Sequence, residues 1–177
     1  MNSIRLLITG GSGFIGTTAV SEALARGYAV ENFDIKAPNI ESHTKYWKNI
    51  DIRDRESFIA AMAEFAPTHM LHLAAMTGMD LHSLDEVSAN TEGVQNLIDG
   101  ASQLKTLKKI LFTSSLLVCK NGYIPRDEND YCPPNIYGKS KMIGEQLVKN
   151  ANLASRWVIV RPTSIWGPWF EHSYKSF

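Results

Sequence analysis

A chain of 177 residues, 44% hydrophobic and 20% charged, carries enough apolar material for one packed domain, which excludes a disordered or fibrous chain. Its 18 Lys and Arg balance 18 Asp and Glu, so there is no basic field to draw in nucleic acid or an anionic membrane. Two cysteines, Cys119 and Cys132, make neither a disulfide framework nor a metal set and are expected as reduced thiols, with no bound metal. No signal peptide or membrane-spanning run is visible, which gives a cytoplasmic expectation.

The first element is an apolar strand at residues 4–9 that runs into Gly10-Gly11-Ser12-Gly13-Phe14-Ile15-Gly16 and then a helix. Gly10, Gly13 and Gly16 recur at every third position. One allows a sharp turn with φ > 0, one lets backbone approach a phosphate without a Cβ between, and one lets the helix pack on the sheet. The helix that starts near Phe14 directs unpaired N–H groups and its positive dipole end toward the same point, as a dinucleotide pyrophosphate requires. Residues 14–26 keep a helical apolar spacing that Gly27 stops. Residues 29–34 form a second strand ending on Asp34, eighteen residues after Gly16. An acid at that distance accepts from an adenosine 2′-hydroxyl and repels a 2′-phosphate, so NAD is expected over NADP.

Residues 37–43 are turn-like, and residues 45–51 read as a third strand finishing in Asp51-Ile52. Asp54 is placed to cap a helix over residues 55–65. Residues 69–75 form a short strand of the buried parallel kind, whose small Ala74 and Ala75 let a cofactor lie against the backbone. His72 within it is expected as a hydrogen-bonded packing residue rather than a ligand or base. Residues 84–104 read as mostly helical, with Val87, Val94, Leu97 and Ile98 on one side and Asn90 and Asn96 among the polar positions. The fifth strand, residues 109–115, ends in the hydroxyls of Thr113, Ser114 and Ser115. A Gly- and Pro-containing loop leads to a helix over residues 136–150, and a sixth strand at 157–161 is stopped by Pro162. This alternation predicts an α/β fold, a Rossmann-type doubly wound parallel sheet with helices on both faces. Gly10, Asp34, Ala74, Ser115 and Pro162 all fall at its carboxyl edge, where such sheets bind ligands.

In Tyr137-Gly138-Lys139-Ser140-Lys141 the four-residue spacing puts a phenol and an ammonium on one helix face. A phenol with a reference pKa of about 10 is a poor base at neutrality. The Lys141 charge, with the positive ring of an oxidised nicotinamide, is expected to lower that value so that Tyr137 takes a proton from a substrate alcohol as hydride leaves.

The chain resembles the extended short-chain dehydrogenase/reductase family, of the NAD-dependent sugar-nucleotide epimerase and dehydratase type. The resemblance runs from Thr9–Gly16 through Asp34, Asp51-Ile52, His72–Ala75, Asn90–Gly93, Phe112–Ser115 and Tyr137–Lys141 to Arg161–Pro168. It implies that Gly10, Gly13, Phe14, Ile15 and Gly16 hold the pyrophosphate, that Asp51 and Ile52 lie at the adenine, and that Leu73, Ala74 and Ala75 line the cofactor. It further implies that Asn90 supports the site through the helix backbone or a water, and that Pro162 and Thr163 lie beside the nicotinamide. Ser115 would bond the reacting oxygen, Tyr137 would be the acid/base, and Lys141 would hold the ribose; strand alternation leaves open whether Ser114 or Ser115 faces the site.

Leu116-Leu117 stands where family 4,6-dehydratases carry Asp-Glu, which argues against dehydration. Cys119 and Lys120 replace a common Tyr and Gly, and Ser164 replaces an asparagine near the substrate phosphates. The implied activity is that of an NAD-dependent epimerase or dehydrogenase on a secondary alcohol of a nucleotide-sugar-like substrate. The alternative is a non-catalytic NAD-binding redox sensor or scaffold. Family members continue into a last strand and a smaller substrate lobe, so residues 1–177 are expected to be the NAD-binding domain without that lobe; a homodimer through residues 84–104 and 136–150 is a further family expectation.

Overall fold

The computed structural model describes residues 4–78 and 81–170. Six strands, β1 (Arg5–Thr9), β2 (Ala29–Asp34), β3 (Trp47–Asn49), β4 (His69–His72), β5 (Lys109–Thr113) and β6 (Arg156–Val160), make one parallel sheet in the order β3-β2-β1-β4-β5-β6. The helices are α1 (Phe14–Ala25), α2 (Arg55–Phe65), α3 (Glu92–Gln103) and α4 (Ile136–Asn150). From β1 the chain winds outward through β2 to β3 and then returns to lay β4 on the other side of β1. The strand order therefore reverses between β1 and β4, and a crevice opens at their carboxyl ends.

Alternation along the strands sorts the core into two layers. Leu7, Phe33, Met70, Ile110 and Phe112 face Phe58 and Met62 of α2, Leu97 and Ile98 of α3, and Val148 of α4. Their neighbours Ile8 and Val30 face the opposite side, against Val20 and Ala23 of α1. Helices thus cover both faces, as the alternation predicts. Among the described residues no helix is long and apolar enough to cross a membrane.

Local chemistry sets the element ends. Asp54 caps α2 by accepting from the Ser57 N–H at 3.3 Å, and Asn135 caps α4 by accepting from the Gly138 N–H at 2.8 Å. β4 and β5 end at His72 and Thr113, short of the 69–75 and 109–115 read from sequence, and two further elements depart more. The third strand is only Trp47–Asn49, because Glu41–Tyr46 winds into a 3₁₀ turn whose buried His43 hydrogen-bonds Ser21 of α1 at 3.2 Å. Asp51-Ile52 then lies beyond the strand. Residues 84–104 are not one helix: a 3₁₀ segment, Asp85–Asn90, precedes α3, and Thr91 with φ −121° and ψ −71° breaks the ladder between them. Asn90 and Asn96, expected among the polar positions, are both buried, and Asn96 is paid for by donating to the Ile52 carbonyl at 2.9 Å.

Phe58 is fully buried and meets Phe33 edge-on at 6.2 Å between ring centroids. Phe58→Ala is expected to destabilise the domain by about 3–5 kcal/mol through a cavity between α2 and the sheet, measured by urea denaturation.

Candidate active site

Gly10 ends β1 with φ +75°, and a Cβ there would sit 2.5 Å from the Ala74 backbone nitrogen. Only glycine allows this turn to lie so close to the end of β4. A Cβ on Gly16 would run into the Gly10 carbonyl, so α1 also approaches the loop at backbone distance. Gly13 differs: it is exposed, has an ordinary φ of −79°, and a Cβ there would meet only the Gly10 carbonyl at 3.3 Å. Gly13 caps α1 with no side-chain bond, so the first-turn N–H groups of α1 are not taken up by a capping side chain.

Asp34 stands beside this loop, but its oxygens already brace it. Oδ2 accepts from the Ser12 N–H at 3.0 Å and Oδ1 from the Lys36 N–H at 2.9 Å. Asn32 Nδ2 donates to Ser12 Oγ at 3.0 Å from beneath. The sequence reading assigns Asp34 to a ribose; the structure adds that it holds the loop's shape.

Ser115 and Tyr137 come together at the carboxyl end of β5. Ser115 caps a short 3₁₀ turn, Leu116–Val118, by accepting from the Leu117 N–H at 3.1 Å, and its hydroxyl lies near enough to the Tyr137 phenol to draw the phenol's pKa down. Ser114 is committed elsewhere: it donates to buried Glu145 Oε1 at 2.6 Å. Gly138 is what lets the turn and α4 meet: a Cβ there would strike the Leu117 carbonyl.

The expected effect of Lys141 on the phenol is not what the structure holds. Burial raises the Tyr137 pKa, the nearby Ser115 hydroxyl offsets this in part, and Lys141 is not among the contributing groups. Lys141 is instead buried under the site, where its Nζ donates to the Thr113 carbonyl at 2.8 Å. Burial lowers its pKa to about 8, against the pull of Glu145. Shared helix face brought the two residues near, and the choice of rotamer then aimed the ammonium into the protein.

Glu145 and Tyr131 are absent from the sequence-predicted site, yet they anchor it. Glu145 accepts from Ser114, from the Tyr131 hydroxyl at 2.9 Å, and from Arg161 Nε at 2.7 Å and Nη2 at 2.6 Å. Burial alone would raise its carboxyl pKa, but these donors outweigh it and the net shift is downward. Burial and the Glu145 charge push the Tyr131 phenol up to about 12. The signal for Glu145 was in the sequence, since positions 137, 141 and 145 repeat every four residues on one helix face.

Other predicted residues are placed more variously. Asn90 is buried and committed within the protein: Oδ1 accepts from the Met76 N–H, and Nδ2 donates to the Met76 carbonyl and to Ser140 Oγ, each at 2.9 Å. Its side chain ties the chain after β4 to α4. The Ile52 side chain is in the core against Gly93, and Asp51 is paired with Arg53, whose guanidinium bond holds its carboxyl below the usual range. Leu73 packs with the α1 layer and Ala74 with the opposite one. His72 is a packing residue held by Thr9 Oγ1 at 2.7 Å to Nδ1, and burial lowers its pKa to about 3. Pro162 accepts from the Leu116 N–H at 3.2 Å, and exposed Thr163 follows it at the same edge. The chain then folds back so that Phe170 meets Phe14 at 4.9 Å between ring centroids.

The NAD dependent epimerase/dehydratase family matches residues 6–177. The chain belongs to this family. Among curated members, the N-acetyl-alpha-D-glucosaminyl-diphospho-ditrans,octacis-undecaprenol 4-epimerase of Escherichia coli is 30% identical over 92% of this chain and 49% of its own length. The 3-beta-hydroxysteroid dehydrogenase of Mycolicibacterium neoaurum is 28% identical over 92% of this chain and 48% of its own. The crystal structure of Thermus thermophilus UDP-glucose 4-epimerase in complex with NAD superposes with a TM-score of 0.73 at 29% identity, covering 89% of this chain and 54% of that one. The chain spans about half the length of the curated relatives it matches.

Within this member of the epimerase/dehydratase family, buried Glu145 is ion-paired with part-buried Arg161, so Glu145→Gln is expected to cost about 3 kcal/mol at neutral pH. The folded-state pKa of Glu145 is depressed, so its contribution is present above the unfolded value of 4.5 and is lost as pH falls through the folded value. Chemical denaturation at pH 7 and again below pH 4 should therefore show the gap to wild type closing in acid.

Proposed function

We propose that this chain binds NAD along the carboxyl edge of its sheet and supplies the acid/base group for hydride transfer at a secondary alcohol of a nucleotide-sugar-like substrate, as an epimerase or dehydrogenase. The observation that carries the reading is the approach of the Ser115 hydroxyl to the Tyr137 phenol, at the same edge as the glycine turn. A purely sensing protein has no need of that pair.

The residues present fit the cofactor. The open side of Gly13, the uncapped start of α1 and the small Ala74 and Ala75 leave room and N–H donors for a pyrophosphate and the chain of a dinucleotide. Bound NAD supplies the hydride acceptor and, when oxidised, a positive ring.

The protein's own part is proton handling. The Ser115 hydroxyl beside the Tyr137 oxygen favours the phenolate. With its pKa raised by burial, Tyr137 is protonated at neutral pH, the form that donates to a substrate carbonyl. For the reverse step Tyr137 takes the alcohol proton, and Lys141, whose ammonium rests on the Thr113 carbonyl, is the residue that would hold the ribose of the bound cofactor. Leu116, half exposed in the turn after Ser115, offers no second acid or base, which favours alcohol–ketone chemistry over elimination of water.

Two variants separate binding from chemistry. In a chain that carries the substrate lobe as well, Tyr137→Phe should lower conversion of UDP-glucose, assayed with NAD, by about 10²–10⁴-fold while calorimetric NAD affinity is unchanged. Retained activity would overturn the role of Tyr137. Gly13→Ala should weaken NAD binding at least about tenfold through the added Cβ at the pyrophosphate, yet cost no more than about 1 kcal/mol of stability. A preference for NADP over NAD would remove Asp34 from the ribose.

A further inference from the structure

Cys119 and Cys132 lie thirteen positions apart in sequence, and the fold makes them direct partners in an isolated parallel bridge. The Lys120 N–H donates to the Cys132 carbonyl at 2.7 Å, and the Cys132 N–H donates to the Val118 carbonyl at 3.0 Å. Partnered residues of parallel strands stand about 4.8 Å apart, within the roughly 4.4–6.8 Å between Cα atoms that a disulfide spans. The Cys119 thiol already reaches the segment that carries Cys132, with Sγ 3.5 Å from the Asp130 carbonyl. Both cysteines are free and only half-buried, so a small oxidant reaches them.

The bridge also sits between the two residues of the proposed reaction. Cys119 ends the 3₁₀ turn that Ser115 begins, and Cys132 precedes Tyr137 by five residues. The turn and the start of α4 touch through the Leu117 carbonyl and Gly138. Cβ atoms at strand spacing must close to about 3.8 Å to be joined, a movement of about 1 Å. A displacement of that size between reacting groups is enough to cost on the order of tenfold or more in rate.

We propose that Cys119 and Cys132 form a thiol-modification site, joined by exchange with a low-molecular-weight disulfide such as oxidised glutathione, and that the bond displaces Ser115 relative to Tyr137. The Cys119 thiolate attacks one glutathione sulfur and expels the first glutathione thiolate. The Cys132 thiolate then attacks Cys119 Sγ in the mixed disulfide and expels the second. Two electrons pass from the cysteines to the glutathione disulfide, and the two thiol protons are released to solvent. The consequence for catalysis rests on the proposed roles of Ser115 and Tyr137, whereas the cross-link does not.

The test is native-state exposure of the folded chain to oxidised glutathione, followed by thiol blocking, trypsin and mass spectrometry. Cleavage after Lys120 and Arg126 separates the two cysteines, so the disulfide appears as residues 110–120 linked to residues 127–139. The linked peptide should form in the wild type, be absent in Cys119→Ser and Cys132→Ser, and vanish with dithiothreitol. In parallel, the Tyr137 ring-carbon resonance of ¹³C-tyrosine protein should shift on oxidation and return on reduction, while those of Tyr28 and Tyr46 stay in place. Separate glutathione adducts on the two cysteines, or a link formed only after denaturation, would overturn the site. A link that leaves Tyr137 unmoved would overturn the coupling. Neither readout needs turnover, so an inactive but cross-linking protein would sink the proposed reaction and leave this inference standing.

Discussion

The contact on which the rest of this structure depends is between backbone and backbone. At the carboxyl end of β1 the chain turns at Gly10 against the first residues beyond β4, closer than any side chain allows. That contact lies where the strand order reverses, and it lets α1 begin directly over the crevice. A larger residue at Gly10 or Gly16 would push the helix start away from β4 and disperse the N–H groups that converge there. The loop is then braced from below by Asn32 and from the side by Asp34, so its shape is held before any ligand arrives.

A second constraint acts beneath the proposed acid/base pair. Glu145 is buried and gathers Ser114, Tyr131 and Arg161, drawing residues from the end of β5, the loop before α4, α4 itself and the end of β6 onto one carboxylate. With Ser114 held there, the alternation of the chain turns Ser115 to the opposite side, toward Tyr137. Asn90 does a similar service on the other flank, tying the chain after β4 to Ser140 of α4. The exposed half of the site is thus small, and most of what positions it is buried polar structure whose loss leaves unpaired groups.

The electrostatics of this buried layer are one-sided. Lys141 is kept short of its usual basicity by burial, and His72 nearby is kept neutral by burial and by the Lys141 charge. A cavity of about 20 Å³, roughly the size that one water fills, lies between them, bordered also by Asn90, Thr113 and Glu145. The positive charge that the family resemblance assigns to Tyr137 therefore rests, in this structure, against the carbonyl of Thr113.

Much of this was legible in the residue order. Period-2 and period-3.6 apolar patterns, glycine punctuation and Asp and Asn caps are local, so five of the six strands, the spans of α2 and α4, and the carboxyl edge carrying Gly10, Asp34, Ala74, Ser115 and Pro162 follow from sequence alone. The tertiary structure decided what depends on partners far away in the chain. It shortened the third strand around His43, broke the helix at Thr91, buried Asn90 and Asn96, chose Ser115 over Ser114, turned Lys141 onto Thr113, and set Cys119 beside Cys132. A pattern reports which face a residue occupies, whereas a rotamer, a hydrogen-bond partner or a bridge is set by whatever distant segment fills the space opposite.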